Sequence, residues 1–348
     1  MLQVVRSTSA AARLAAAARF LEARPSSTEI ILVSPSRGAA DDLARATARR
    51  LGATFGITRF SLTELAARAA AAGPFGTERA PGSQAATEAI AARAVFDARA
   101  ASELAYFAPV ARMPGFPKAL ARTIHELRLA GVSADGALNR RREEGGSTVG
   151  VHPAMADLRR LLERIEGELD RAAIHDRAAL FAAAAAAWRS GHARWAGLPA
   201  VLLDLTIDSR SEQEFVAALV ERAPAALATV PDGDARALAS FERMGAAIDV
   251  DPDAAQPSTD LAHLRRYVFT NQRPPLREPA GDVRLFSAPG EGREAAFRCT
   301  SIAARGGRIL LAVHSLPSFR AASRDFPPSD LTSTSRSGKC RTSTLASR

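Results

Sequence analysis

Short apolar runs alternate with helix-length segments over the first seventy residues, and this alternation limits the fold more than any other feature of the sequence. Residues 2–5, 29–33 (EIILV) and 54–60 predict strands. Residues 9–23 and 39–51 predict helices, the second stopped by Gly52. Ser61-Leu62-Thr63-Glu64 has the pattern of a capping box opening a further helix. Strands joined through helices pair in parallel, so the chain is expected to be α/β with crossover helices.

The pattern changes after Gly73. No strand is evident between residues 87 and 190. Phe116, Leu120, Ile124 and Leu127 share one helical face, and Met155, Leu158, Leu161, Leu162, Ile165 and Leu169 share another. Residues 176–189 predict an alanine-rich helix, and residues 140–150 (RRREEGGSTVG) a charged, glycine-rich loop. Alternation then resumes, with strands at 200–205 (AVLLDL) and 225–230 and helices at 211–222 and 260–269. A proline-rich stretch follows at 272–279, then a strand at 282–287 and a helix at 291–304. The expected organisation is one α/β domain from residues 1–72 and 196–271, with an all-helical insertion at 73–195. A linker at 272–280 and the start of a second α/β domain at 281–312 complete it. Beyond that, residues 313–348 are rich in Ser, Thr, Arg and Pro and are expected to be disordered. A domain begun near Asp282 and lost some thirty residues later suggests truncation or a change of reading frame near Arg305; a native tail is the alternative.

Composition excludes several classes of protein. No run of eighteen apolar residues is free of charge, and residues 1–10 lack a signal-peptide pattern, so a cytoplasmic chain with no membrane partner is expected. Cys299 and Cys340 are too few for a disulfide framework or a four-cysteine zinc site. The six histidines show no metal-ligand spacing; His125 and His175 fall in expected helices. The net charge is +9, but residues 303–348 carry +6 of it, so the folded part is only weakly basic.

An α/β motor that hydrolyses a nucleoside triphosphate needs a glycine-rich turn with a lysine after its first strand. Residues 6–13 (RSTSAAAR) stand at that place with neither glycine nor lysine. Arg6 or Arg13 is the group there that could meet a phosphate, and Ser7 or Thr8 the one that could cap the helix. Such a motor also needs two acids at the end of a buried strand, one for magnesium and one for the attacking water. Asp204 supplies the first, Leu205 replaces the second, and Asp208 lies three residues too far on. Arg6, Ser7, Thr8 and Asp204 therefore read as the remnant of a nucleotide site, and no catalytic or metal-ligating residue is assigned. The alternatives are an ordinary strand–helix turn and a loop carboxylate. Ser34, Ser36, Arg37, Arg59, Phe60 and Ser61 fall at carboxyl ends of expected strands, where open α/β sheets place ligands. Hydroxyls and guanidinium groups suit phosphates and Phe60 a base, so these six are candidate DNA contacts. Helix caps, a solvated arginine and a core phenylalanine are the plainer alternatives.

The order of these blocks resembles superfamily I helicases. ILVSPSRGAA (31–40) looks like their second conserved block, TRFSL (58–62) the threonine–phenylalanine block, and VLLDLTIDSRSEQEF (201–215) the acidic block. TVPDGD (229–234) sits where a Gly-Asp sensor is expected. FPKALARTIHELRLAGV (116–132) and LFSAPGEGREA (285–295) are similar to stretches of the AddB-type subunit of ATP-dependent helicase–nucleases. This resemblance spans residues 1–304. It implies a P-loop-NTPase-like parallel sheet with degenerate Walker motifs and a role in double-strand-break repair by recombination. It further implies single-stranded DNA and a motor-bearing subunit as partners, with a PD-(D/E)XK nuclease domain following; ATP and magnesium belong to the intact family. The chain shows neither the nuclease domain nor the cysteines that hold an iron–sulfur cluster in some members. The implied function is an inactive helicase-like DNA-binding scaffold. Two alternatives remain: the front part of an active DNA exonuclease–helicase subunit, or a helical protein-interaction module.

Overall fold

The apolar runs lie side by side in one sheet. The computed structural model describes residues 1–73, 79–134, 152–250, 259–267 and 273–283, and its contacts divide the chain into two units, Met1–Ala255 and Gln256–Arg348. In the first unit, six strands form the sheet: β1 (Leu2–Ser7), β2 (Ile30–Ser34), β3 (Ile57–Ser61), β6 (Ala200–Leu203), β7 (Ala226–Pro231) and β8 (Ala247–Val250). Their order is β3-β2-β6-β7-β1-β8, and every pairing is parallel.

A parallel sheet needs helices on both faces, and side chains alternate between faces along a strand. Ile30 and Leu32 face one way, with Val5, Val201, Leu203 and Leu227, under α1 (Ala10–Glu22) and α2 (Arg37–Leu51). Ile31 and Val33 face the other way with Val4, Leu202 and Ala228. That face is covered by α3 (Leu62–Ala72), α7 (Arg177–Arg189), α8 (Arg210–Arg222) and α9 (Ala235–Arg243). The division follows from handedness. The crossovers after β1 and β2 run toward the β3 edge and those after β3, β6 and β7 run away from it, so right-handed connections put the two sets on opposite faces. Gly52 ends α2 with φ +83°, in the left-handed region that glycine enters without strain.

Between α3 and α7 lie α4 (Gln84–Ala100), α5 (Phe116–Leu129) and α6 (Pro153–Arg171), which share a core of their own around Ile90, Val95, Leu120, Ile124, Leu161 and Ile165. Within it the Asp157 carboxylate is fully buried and accepts the main-chain N–H groups of Ala105, Tyr106 and Phe107. Two expectations fail here. The segment is not strand-free: β4 (Ala80–Pro81) pairs in parallel with β5 (Ile174–His175). His175 thus sits in a strand, not a helix. Helix α7 also belongs to the sheet's core, through Phe181, Ala184 and Trp188, rather than to the core of α4, α5 and α6. Arg128 of α5 reaches α6 and α7 together, donating to Glu166 and, at 2.6 Å, to Asp176.

In the second unit, α10 (Asp260–Tyr267) is tied to the proline-rich stretch. The Asp260 carboxylate accepts the N–H groups of Ala280 and Gly281 at 2.8 and 2.6 Å and pairs with Arg277, while the Asp282 carboxylate accepts the N–H of Leu261 at 3.0 Å. The loop expected at 140–150, the strand expected at 282–287 from residue 284 on, the helix at 291–304 and the tail lie outside the described residues.

Two outcomes follow. Ile31 is fully buried between β3 and β6, so Ile31→Ala should cost about 2–5 kcal/mol in denaturant unfolding, whereas Leu14→Ala, at an exposed site, should stay within about 0.5 kcal/mol. Burial, and next the Arg79 charge, push the His175 imidazole below its ordinary range. The unfolded chain then binds the proton more readily, so stability should fall as pH drops from about 6.5 through the lowered folded value. His175→Gln should flatten that part of a stability-versus-pH curve.

Candidate functional site

Because all six strands are parallel, their carboxyl ends share one edge. Asp204 stands there, one residue past the end of β6. Its φ is +46°, in the left-handed region that Asp tolerates better than most residues, and this turns the chain out of the strand. The main-chain N–H of Asp204 donates to both the hydroxyl and the carbonyl of Thr229, at 2.9 and 3.1 Å. In return the Thr229 hydroxyl donates to Asp204 Oδ1 at 2.7 Å. Strand β7 thereby fixes the orientation of the carboxylate.

Arg13, in the first turn of α1, completes the group. Its Nε donates to Asp204 Oδ1 at 2.8 Å and its Nη2 to Oδ2 at 3.0 Å, a two-point fork. Its Nη1 donates to the Ser7 carbonyl at 2.6 Å. The Arg13 side chain is 8% exposed and that of Asp204 29%. The carboxylate at the end of β6 is thus neutralised by a buried guanidinium from the helix that follows β1, across the intervening β7.

The turn between β1 and α1 consists of Thr8 and Ser9 alone. Of residues 6–13, Arg6 and Ser7 are strand and Ala10 to Arg13 are helix. Ser9, and not Ser7 or Thr8, is the N-cap: its hydroxyl accepts the Ala12 N–H at 3.3 Å, while the Ser7 hydroxyl accepts the Ser9 N–H at 3.0 Å. Thr8 is exposed. Arg6 pairs with Asp232 at 2.5 Å. Leu205, at the place of a second acid, is buried in the core. Asp208 is exposed beside the capping box of α8, in which Ser209 and Glu212 exchange bonds. The complete box is here and not at Ser61: the Ser61 hydroxyl accepts the Glu64 N–H at 3.2 Å, but the Glu64 carboxylate turns to Arg68 and Arg37.

The candidate DNA contacts separate. Ser36 and Ser61 cap α2 and α3. Arg37 is exposed but pairs with Glu64 at 3.5 Å, and Arg59 pairs with Asp41 at 3.3 Å. Ser34 is fully buried and its hydroxyl donates to the Ser36 carbonyl. Phe60 is 2% exposed and meets Trp195 edge to face at 4.9 Å, so its ring is spent on the core and offers no face to a base. Among the described residues no three His, Cys, Asp or Glu side chains gather as a metal site, and no helix is long and apolar enough to cross a membrane. The Arg13–Asp204 partnership escaped the sequence because its members are 191 residues apart.

No protein-family model matches the chain, and no match to it was found among curated proteins. The fold defines an α/β protein with a parallel six-stranded sheet, and the site defines a closed ion-pair cluster at its carboxyl edge.

Asp204→Ala would leave the Arg13 guanidinium buried with only the Ser7 carbonyl as partner, and should destabilise the fold by about 3–5 kcal/mol. Arg13→Met keeps the apolar stem and leaves a carboxylate that still holds Thr229 and reaches water, so it should cost clearly less. Urea unfolding of both variants checks the asymmetry; equal losses contradict it.

Proposed function

We propose that this chain is a helicase-like scaffold, of the kind found in AddB-type subunits of DNA-repair helicase–nucleases, that binds single-stranded DNA and a motor-bearing partner without hydrolysing ATP. The observation that carries the reading is the Arg13–Asp204 fork. It occupies the acid that a motor would keep for magnesium, and it does so from the helix that a motor would use to hold phosphates.

The surrounding residues support the same conclusion. A two-residue turn leaves no loop of main-chain amides to surround a triphosphate. The place of the water-orienting acid is a buried leucine. This donor set does not fit magnesium and a triphosphate, so no chemical step is assigned to it. The P-loop-like reading of the sheet rests on the ends of β1 and β6 facing each other across one strand. The reading of the segment between α3 and α7 as a helical insertion rests on the separate core of α4, α5 and α6. A scaffold of this kind serves recombinational repair by holding DNA while a partner supplies movement.

Purified protein should hydrolyse no ATP above background, with or without single-stranded DNA. Its affinity for an oligonucleotide should fall linearly with the logarithm of salt concentration as phosphate contacts release counterions. DNA-stimulated ATP hydrolysis that disappears in Asp204→Ala would overturn the reading.

A further inference from the structure

The arginines that the sequence offers at the strand ends are already neutralised: Arg6 by Asp232, Arg37 by Glu64 and Arg59 by Asp41. A second set is not. An open groove of about 720 Å³ runs between α8 and α9. Arg189 from the last turn of α7, Arg210 from the start of α8, and Arg236 and Arg243 from α9 line it. Only Arg210 has a carboxylate partner, Glu214 at 2.9 Å. Arg189 reaches a main-chain carbonyl, that of Glu214, at 3.4 Å. Arg243 bonds the Ala239 carbonyl and the Ser240 hydroxyl, at 3.1 and 3.4 Å. The Arg236 carbonyl accepts the Ser240 hydroxyl at 2.9 Å, but its guanidinium has no hydrogen bond or ion pair to another described residue. Three exposed guanidinium charges therefore converge on one groove with Asp208 as its only other acid. Most arginines of the described chain, by contrast, sit on a carboxylate.

The shape of the groove selects the ligand. Ala217, Ala235 and Ala239 line it with small side chains that let a backbone approach closely. Arg236 and Arg243 are seven residues apart on α9, two turns along one face and about 10 Å along the axis. That separation is too great for one phosphate ion and suits a chain of regularly spaced anions. Planar guanidinium forks match phosphate oxygens better than they match a single hydrated charge. Both helices are anchored underneath, α8 by Phe215 and Leu219 and α9 by Ala237 and Phe241, so the arginines stand on rigid supports.

We infer that the α8–α9 groove holds the sugar–phosphate backbone of a single DNA strand, with Arg189, Arg236 and Arg243 as the phosphate contacts. This rests on the scaffold reading above and relocates its DNA contact from the β2 and β3 ends to the opposite face of the sheet from α1 and α2.

The test is fluorescence anisotropy of a labelled oligothymidylate with the full-length protein, across roughly 50 to 200 mM salt. R236E/R243E should weaken binding at least about tenfold at the lowest salt, and R236Q/R243Q should reduce the slope of log affinity against log salt by about 1.4, the loss of two phosphate contacts. R37E/R59E should bind as the wild type does. Arg37, Arg236 and Arg243 are exposed and Arg59 is half-buried, and an unchanged melting temperature confirms that each variant is folded. If wild type binds and R37E/R59E alone abolishes binding, the groove assignment is overturned while the scaffold reading stands. If wild type binds no oligonucleotide at low salt, the scaffold reading fails and takes the groove with it. Competition by polyglutamate as effective as that of oligothymidylate at equal charge would overturn the nucleic-acid assignment in favour of an acidic protein partner.

Discussion

A wholly parallel sheet leaves neither face for water, and that constraint organises the first unit of this protein. Successive residues of β2, Ile30 to Val33, point alternately into two cores that never merge through the sheet. Each core then demands its own helices. The sequence answers with alanine-rich segments whose small side chains let helix and sheet approach closely, as at Ala17, Ala40, Ala66 and Ala184, all fully buried. The same constraint gathers every strand's carboxyl end on one edge, which is why residues as distant as Arg6 and Asp232, or Arg13 and Asp204, become partners.

At that edge the Asp204 carboxylate is taken up by an internal contact. A motor fold keeps its acid accessible and its phosphate loop open, both of which are destabilising in the empty protein. Here Arg13, Asp204 and Thr229 satisfy one another, and the helix starts within two residues of the strand. An ion pair of this depth contributes modestly to net stability, while removing Asp204 strands the buried Arg13 charge. The edge is consequently a structural joint between β1, β6 and β7.

The strands that were legible in the sequence are those with continuous apolar runs. IILV of β2 and AVLL of β6 are buried on both faces and contain nothing that competes with a strand. Strand β8 (AIDV) escaped because it forms an edge and carries a charged residue in a four-residue span. Strand β5 has two residues and exists only because β4 pairs with it, a contact between positions nearly a hundred apart. Strand β6 stops at Leu203, two residues short of its expected end at Leu205, because Asp204 adopts a left-handed conformation that composition does not signal. Of the site, the individual residues were visible and their pairing was not. Arg13 was read as a group for a phosphate, and only the fold shows that a carboxylate reaches it first. Phe60 stayed open between a base-stacking surface and a core phenylalanine, because a strand-end aromatic looks the same whether it faces solvent or, as here, Trp195.

The central claim is that the skeleton of a nucleotide-binding sheet persists here with its triphosphate grip closed. Titration calorimetry of the purified protein with magnesium and ATP tests it most directly. The account predicts no saturable heat for the wild type and none for Arg13→Met, since freeing Asp204 does not rebuild the missing loop. Stoichiometric binding of ATP by the wild type, lost on substitution of Asp204, would contradict it.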